Sequence, residues 1–177
     1  MLFARKLTIV LLLAFLSSCT GIPEGIKAVD NFDVTRFLGT WYEVARLDHS
    51  FERGLASVTA SYSLREDGKI EVTNKGYNTE EKKWEQVTGK AYLVDKANIG
   101  RLKVSFFGPF YGGYNIFVLD SVKYQYALIC GSSRSSLWLL ARTPTLDKTI
   151  VQQLVEQARQ LGFKTETLIY VDHSIQP

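Results

Sequence analysis

Four side chains in this sequence belong to the types that most often act as nucleophiles or metal ligands: Cys19, Cys130, His49 and His173. Their spacing matches no zinc pattern, and no serine lies in the strand–turn–helix elbow of the serine hydrolases. A free cysteine is usually a small buried apolar residue, which is what we expect of Cys130. The sequence therefore predicts no enzyme, no metal site and no cofactor.

Cys19 has a different chemistry because of the residues that precede it. Arg5 and Lys6 stand before an apolar run, Leu7–Leu16, which is too short to cross a bilayer and has the length of a signal-peptide core. The run ends in Leu-Ser-Ser-Cys, which resembles the lipobox of bacterial lipoproteins. This resemblance implies cleavage before Cys19 and acyl chains such as palmitate on its sulfur and amine. Because Thr20 follows instead of Asp, it also implies sorting to the outer membrane, with the folded domain in the periplasm. An ordinary signal peptide with an incidental cysteine is the alternative.

Composition limits what the mature chain can be. Removing 18 of the 177 residues leaves 159, the size of a single domain with a sizeable core. The formal net charge falls from +3 to +1 without Arg5 and Lys6, so it gives no indication of nucleic-acid binding. With Cys19 acylated, Cys130 has no partner for an internal disulfide. The predicted divisions are a lipoprotein signal peptide (1–18), a lipidated tether (19–30) and one folded domain (31–177).

Runs rich in Val, Ile, Tyr, Phe and Thr predict eight strands, and these must position any site. Asp67-Gly68 marks the sharpest hairpin, because this dipeptide supplies the positive φ of a tight turn. Short connections favour an antiparallel meander that closes into a barrel, and an open sandwich is the alternative. The predicted strands are Gly39–Asp48, Ser57–Arg65, Ile70–Tyr77, Lys83–Val94, Arg101–Phe106, Gly113–Asp120, Tyr124–Cys130 and Leu137–Arg142.

The hydrophobic period changes after the eighth strand. Apolar residues then recur at helical spacing, with Thr145 or Asp147 able to cap the start of a helix and Gly162 able to end it. Such an amphipathic helix must cover its apolar stripe, most simply on the outside of the barrel. Residues 168–171 would then form a short ninth strand.

Trp41 and Arg142 stand about a hundred residues apart, on the first and last of the eight strands. An arginine laid over an indole face gains about 0.5–2 kcal/mol, depending on its desolvation. The motif Gly39-Thr40-Trp41-Tyr42, answered by this arginine, resembles the lipocalin family. The aromatic stretch Phe106–Tyr114 is also similar to bacterial lipocalins, whereas the Thr-Asp-Tyr motif of the family is degenerate around Asp120.

This resemblance implies an all-β fold: an eight-stranded antiparallel up-and-down barrel with one C-terminal helix packed outside and a short ninth strand. Gly39, Trp41 and Arg142 would close one end of the barrel. With the lipobox, the pattern is most similar to the bacterial outer-membrane and apolipoprotein D-like members. Such proteins bind fatty acids and lysophospholipids, and the resemblance implies the same class of ligand here.

Alternate residues of a strand face opposite sides, so taking Trp41 as inward assigns an interior. The assigned wall is apolar and rich in small residues, which favours a cavity for a mostly hydrocarbon ligand; a barrel filled by its own side chains is the alternative. A β-bulge would reverse the parity beyond it. Glu43 would also face inward, where it needs a partner such as Asn74 or a raised pKa, unless a bulge turns it outward. The predicted cavity residues are Ala45, Leu47, Val58, Ala60, Tyr62, Val72, Asn74, Val87, Ala91, Leu102, Val104, Phe106, Tyr114, Ile116, Trp138 and Leu140.

The family resemblance implies that four connections ring the open end: residues 48–56, 78–82, 107–112 and 131–136. The third is rich in aromatic residues, which either fold back on the rim or contact a lipid, a membrane surface or a second copy of the chain. Basic side chains around the same opening could together bind the phosphate of a lysophospholipid. The predicted mouth residues are His49, Arg53, Lys82, Phe110 and Tyr111, with Phe107, Lys83 and Arg134 beside them.

Three hypotheses for the function follow. The first is an outer-membrane-anchored protein that holds a fatty acid or lysophospholipid in its barrel for transport, storage or membrane maintenance, with a homodimer through the mouth loops as a further partner. The second is a structural or assembly lipoprotein of the envelope with a filled barrel. The third, an enzyme, needs an inward thiol, but strand parity points Cys130 outward.

Overall fold

A computed structural model describes residues 20–175 of the chain. Cys19, the predicted signal peptide and residues 176–177 lie outside the described residues. The strands are β1 (Gly39–Arg46), β2 (Leu55–Leu64), β3 (Ile70–Asn78), β4 (Lys83–Leu93), β5 (Arg101–Ser105), β6 (Gly112–Leu119), β7 (Tyr126–Cys130), β8 (Leu137–Ala141) and β9 (Ile169–Tyr170). The helices are α1 (Val34–Phe37) and α2 (Lys148–Gln160), and a 3₁₀ turn covers Thr165–Thr167.

The first eight strands form a closed barrel. Each pairs antiparallel with the next, and β1 pairs with both β2 and β8, so the sheet has no open edge at that seam. The ninth strand adds to β1 from outside. The predicted fold class is therefore confirmed, and the open sandwich is excluded. The predicted strand ends differ from the observed ones by two residues or fewer, as at β1 and β7.

Helix α2 begins and ends at the residues that its sequence indicates. The Asp147 carboxylate accepts the N–H groups of Thr149 and Ile150 at 2.8 and 3.3 Å, which satisfies donors at the first turn. Gly162 follows with a φ of +85°. Helix α1, just before β1, is capped by Asp33, whose carboxylate accepts the Thr35 N–H at 2.8 Å. No helix within residues 20–175 is long and apolar enough to cross a bilayer.

Two apolar clusters lie on either side of the barrel wall. The inner cluster contains Phe37, Trp41, Tyr62, Val72 and Ile116 among others. The outer cluster lies between the wall and α2, which contributes the buried Leu154 and Ala158. The helix therefore covers the outside of the barrel, as its amphipathic pattern predicts, and leaves the interior to the strands.

Residues 20–30, predicted to be a tether, lie along the outer wall of the barrel. Ile26 is buried in the outer cluster, and its neighbour in that cluster, Ile22, is half-buried. The Val29 N–H donates to Ile116 O at 2.9 Å, and the Gly100 N–H donates to Val29 O at 2.9 Å. The apolar side chains of this segment are the physical reason that it docks on the barrel.

The two ends of the barrel differ. The connections 47–54, 79–82, 106–111 and 131–136 all lie at one end, because they join β1 to β2, β3 to β4, β5 to β6 and β7 to β8. This end is called the mouth below. The remaining connections and α1 lie at the opposite end, called the closed end. The observed mouth connections are those implied by the family resemblance.

Candidate functional site

The closed end is sealed by an indole between an arginine and a phenyl ring. Trp41 is 0% exposed; Arg142 Cζ lies 3.9 Å from its ring centroid, and the Phe37 ring centroid lies 4.7 Å away. The Arg142 guanidinium also donates to Thr40 O at 3.0 Å and to Arg36 O at 2.7 Å. These contacts join α1, β1 and the end of β8, so this end is firmly closed.

Gly39 is the third predicted closure residue, and its backbone explains the need for glycine. Its φ is +92°, a conformation that other residues rarely adopt. A Cβ built at this position would lie 3.4 Å from Arg142 Nη1. Glycine therefore lets β1 start close to the guanidinium.

Most of the predicted cavity residues line the inside of the barrel. Some of them are fully buried, and others are only half-buried. Ala91 and Ile116 are 0% exposed, and Leu102 is 1% exposed. In contrast, the inward Val87 and Val104 are half-buried, whereas the next inward residues of the same strands, Gly89 and Leu102, are buried. The inner cluster holds Ala60, Tyr62, Val72, Ala91, Leu102, Val104, Phe106, Tyr114, Ile116, Trp138 and Leu140. Only part of the interior wall is therefore covered by neighbouring side chains of the described chain.

Three other predicted wall residues lie on β2, β3 and β4. Val58 is buried with its Cγ2 against Gly76, at 3.3 Å from where a Cβ would stand. Asn74 and Val87 pair across β3 and β4, level with Ala60. The Asn74 Oδ1 atom is buried without a hydrogen-bond partner among the described residues. The Asn74 side chain, which was predicted to pair with Glu43, therefore faces the interior without bonding to that residue.

Two predicted cavity residues, Ala45 and Leu47, face the other way. Both pack in the outer cluster beside α2. The reason is a β-bulge: the register of β1 against β8 shifts between Glu43 and Ala45, which reverses the parity of every later residue of the strand. Arg46 takes the inward position instead, and pairs in register with Trp138.

Arg46, which strand parity places outside the barrel, organises a buried polar cluster below the mouth. Its Nη1 donates to Glu43 Oε1 at 2.6 Å, with both side chains almost fully buried. Its Nη2 donates to Glu52 O at 2.8 Å and to Leu55 O at 3.2 Å. The Glu52 carboxylate in turn accepts the Trp138 indole N–H at 3.0 Å. The cluster fastens the first mouth loop to the barrel wall.

One guanidinium faces two carboxylates in this cluster, and the pKa values reflect that imbalance. Burial, aided by repulsion from Glu52, raises the pKa of Glu43 from 4.5 to about 8, against the attraction of Arg46. Burial also raises the pKa of Glu52. Because the two carboxyls share one cation, the pair holds an additional proton at neutral pH.

We expect Glu52→Gln to reduce the pH dependence of stability that this cluster causes, because it removes one of the two buried carboxyls and the repulsion that it exerts on the other. Between pH 4.5 and about 8 the unfolded chain binds fewer protons than the folded chain at Glu43, so this contribution to stability declines as the pH rises. In the variant, Glu43 faces Arg46 alone and ionises at lower pH. Relative to the original chain, the variant should gain about 1–3 kcal/mol in the free energy of unfolding between pH 5 and pH 8, measured with urea.

Burial lowers the pKa of His49, so the contribution of this residue to stability rises with pH. His49 is present in both proteins, and its contribution therefore cancels when their free energies of unfolding are compared. Glu80→Gln, at an exposed carboxylate of the second mouth connection, is the matched control. Parallel pH profiles for Glu52→Gln and the original chain would contradict the shared-proton assignment.

The predicted mouth residues surround the opening, and most of their cations pair with groups of the described chain. Arg53 pairs with Asp48 at 2.5 Å, and Lys83 pairs with Glu81. Arg134 donates to Leu161 O at 2.6 Å and to Glu24 O at 2.5 Å, so it joins the wall to the N-terminal segment. Lys82 is exposed in its turn. Since three of these four cations are committed to partners, we assign no anion-binding role to them.

The aromatic mouth residues divide into packed and exposed ones. His49 stacks on Trp138, with ring centroids 4.7 Å apart. Tyr111 packs edge-on against Tyr92 at 5.8 Å, so this aromatic of the third connection folds back on the barrel. Phe110 is 77% exposed. Phe107 and Phe51 are similarly exposed, and they belong to the same end of the barrel.

Two features of residues 20–175 bear on chemical reactivity: the thiol of Cys130 and the placement of the His, Asp and Glu side chains. Cys130 is buried in the outer cluster, away from the interior, as parity predicts. Burial raises the pKa of its thiol to about 12, so it remains protonated. No three His, Cys, Asp or Glu side chains in this part of the chain lie close enough together to hold a metal ion.

Comparison with known proteins agrees with this geometry. A Lipocalin-like domain matches residues 32–173. Outer membrane lipoprotein Blc of Vibrio cholerae serotype O1 is 50% identical over 167 residues, covering 94% of this chain and 98% of that protein. Apolipoprotein D of Mus musculus is 30% identical over 155 residues, covering 84% of this chain and 80% of that protein. Insecticyanin from the tobacco hornworm Manduca sexta shares the fold, with a TM-score of 0.70 and 21% identity over 88% of each chain.

The domain match spans most of the sequence and includes the barrel strands, the Trp41–Arg142 closure and α2. The chain therefore belongs to the lipocalin family.

Proposed function

We propose that this protein is an outer-membrane-anchored lipid-binding lipocalin that holds a fatty acid or lysophospholipid in its barrel. The hydrocarbon chain would lie along the interior wall, with the polar end towards the mouth. The observation that carries this proposal is the wall itself, since inward apolar residues such as Val87 and Val104 remain partly accessible in a barrel whose other end is closed. An apolar wall with few polar groups suits a ligand that is mostly hydrocarbon.

The location belongs to the same proposal. We take residues 1–18 as a cleaved signal peptide and Cys19 as the acylated residue, with the barrel in the periplasm. Relatives of high identity carry the name outer membrane lipoprotein, which supports this assignment. Each buried methylene of an acyl chain contributes about 0.8 kcal/mol, so two or more chains give a stable anchor.

Filling the interior tests the proposal. Val87→Trp should weaken the binding of a fluorescent fatty acid by the delipidated protein at least tenfold, about 1.4 kcal/mol, because the indole would occupy the space of the hydrocarbon chain. Gln86→Trp is the matched control, since this neighbour lies on the same strand and points outward. Lysophosphatidylethanolamine as an unlabelled competitor separates the two ligand classes by their inhibition constants.

The alternative is a structural or assembly lipoprotein whose barrel is filled by its own side chains. That alternative requires no saturable binding by the original chain and equal behaviour of the two tryptophan variants. Either result would overturn the lipid-binding proposal.

A further inference from the structure

The described chain begins at the mouth end of the barrel. Asn115 Nδ2 donates to Gly21 O at 3.0 Å, and Gly21 O lies 2.9 Å from where a Cβ of Gly113 would stand. Both β6 residues lie in the half of the strand nearer the mouth. Arg134, in the last mouth connection, holds Glu24 O at 2.5 Å. From there the chain runs towards the closed end, where Val29 O accepts the Gly100 N–H at 2.9 Å and the Phe32 N–H donates to Asn98 O at 2.8 Å.

The position of Thr20 fixes where a lipid anchor would start. Cys19 is bonded to Thr20, and Thr20 O lies 3.5 Å from Arg101 Nη2. The same guanidinium donates from Nε to Asn115 Oδ1 at 3.3 Å, so Thr20 lies beside the side chain that holds Gly21. Because residues 21–29 are bonded to the wall over their length, they do not act as a long spacer between barrel and membrane. Acyl chains on Cys19 would therefore enter the bilayer beside the mouth.

The same end carries exposed phenyl rings. Phe51, Phe107 and Phe110 are 65%, 75% and 77% exposed. Within residues 20–175 the exposed phenylalanines all belong to mouth connections, whereas the exposed large residues of the closed end are the aliphatic Leu64, Val94 and Val122. Phenyl rings held in water are unfavourable, and aromatic side chains are typical of surfaces that enter the membrane interface.

The charges around these rings are balanced. Arg53 pairs with Asp48, and Lys83 pairs with Glu81. A surface of this kind gains little from the negative potential of anionic lipids, which attracts unpaired basic clusters. Contact with a bilayer would depend on the phenyl rings and would therefore be insensitive to salt.

We propose that the mouth of this lipocalin rests on the leaflet that holds its acyl chains, with Phe51, Phe107 and Phe110 inserted into the membrane interface. The lipid ligand then passes between the leaflet and the barrel without crossing water. This inference rests on the proposed function for its cargo and on acylation of Cys19 for its geometry. A second copy of the chain is the competing occupant of this surface. The anchor favours the bilayer, because two anchored copies with mouths face to face would each turn the rings away from the leaflet.

The test uses the full acylated lipoprotein in vesicles of phosphatidylethanolamine and phosphatidylglycerol. A nitroxide label is placed at Phe110→Cys or at Val122→Cys, which is equally exposed at the closed end. Cys130 is buried and remains unlabelled. We expect the label at position 110 to collide more often with oxygen than with a water-soluble nickel complex, in low and high salt alike, and the label at position 122 to show the reverse.

Equal exposure of both labels to the nickel complex would overturn the inference. So would shielding at position 110 that comes with dipolar coupling between labels of two copies, since that result assigns the surface to a dimer, or shielding that is lost in high salt. This measurement does not depend on a bound ligand. If the barrel bound no lipid, the proposed function would be refuted, but the labels would still report whether the mouth lies at the membrane. As a second measurement, Phe107→Ser with Phe110→Ser should slow uptake of a fluorescent fatty acid from these vesicles about tenfold, and Val122→Ser should not. Equal rates for the two would also overturn the inference.

Discussion

Replacing Arg46 by methionine is expected to lower the free energy of unfolding by about 3–5 kcal/mol at pH 7, because the change removes the cation that pairs with the buried Glu43 carboxylate and lies beside that of Glu52. Glu43 and Glu52 are 3% and 5% exposed, so water cannot replace the guanidinium. The carbonyls of Glu52 and Leu55 lose their donor as well. Urea unfolding at several pH values measures the effect.

The free energy of unfolding lost in Arg46→Met should depend on pH, whereas a loss of packing alone would not. The original chain already holds one additional proton on the pair at pH 7, since the pKa of Glu43 is about 8. Without Arg46 the second carboxyl must be protonated too. Keeping a glutamic acid neutral costs about 1.4 kcal/mol for every pH unit above its unfolded pKa, which is about 3–4 kcal/mol at pH 7 and about 1 kcal/mol at pH 5.

Two variants separate charge from shape at this site. Arg46→Lys keeps the cation but loses the planar fork that reaches Glu43 and the two carbonyls, so it should cost less than Arg46→Met. Adding Glu43→Gln and Glu52→Gln to Arg46→Met should restore most of the lost stability at pH 7, because no buried charge then lacks a partner. If Arg46→Met loses the same free energy at pH 5 and pH 7, packing and not charge explains the role of this residue.

The architecture could be predicted because its signals are local. Asp67-Gly68 forms its hairpin, with the Arg65 N–H donating to Lys69 O at 2.8 Å and a φ of +75° at Gly68. Alternating apolar residues and turn residues place every strand, and Asp147 places the start of α2. The pairing of Trp41 with Arg142 was also readable, because both residue types and their positions on the first and last strands are distinctive.

Strand parity predicts the wrong direction for the side chains after Glu43, because it assumes a regular strand, and groups that stabilise the bulge lie far away in sequence. The bulge frees backbone groups that the C-terminal segment satisfies: His173 Nε2 lies 2.9 Å from Glu43 O, and the Val171 N–H donates to Val44 O at 3.1 Å. Strand parity takes no account of contacts made by a distant C-terminal segment. It therefore assigned Ala45 and Leu47 to the interior and left Arg46 outside.

A signal for Arg46 nevertheless existed in the sequence. An inward Glu43 on an apolar strand requires a partner, and Arg46 is the nearest cation along the chain. The two cannot both face inward in a regular strand, since they are three residues apart. A bulge between them satisfies both conditions, and this is the arrangement found. Searching for a cation at the wrong parity is thus a way to locate bulges beside buried acids.

Replacing Trp41 by alanine is expected to destabilise the protein by about 3–5 kcal/mol, the range for deleting a fully buried large aromatic residue. The indole N–H also donates to Phe37 O at 2.8 Å, so α1 loses its bond to β1. Trp41→Phe keeps a ring under the guanidinium and should cost less, chiefly through that hydrogen bond. Equilibrium unfolding in urea compares the variants.

Variants of Arg142 distinguish the energy of its contact with the indole from the energy of its hydrogen bonds at the closed end. Arg142→Met removes the donors to Thr40 O and Arg36 O together with the cation over the ring. A double-mutant cycle between Trp41→Leu, which leaves no ring under the guanidinium, and Arg142→Met isolates the contact itself, because the losses made in each single variant cancel. We expect a coupling of about 0.5–2 kcal/mol, the range for a cation over an aromatic face. A coupling near zero would show that the arginine closes the barrel through the two carbonyls and that the indole serves only as packing beneath it.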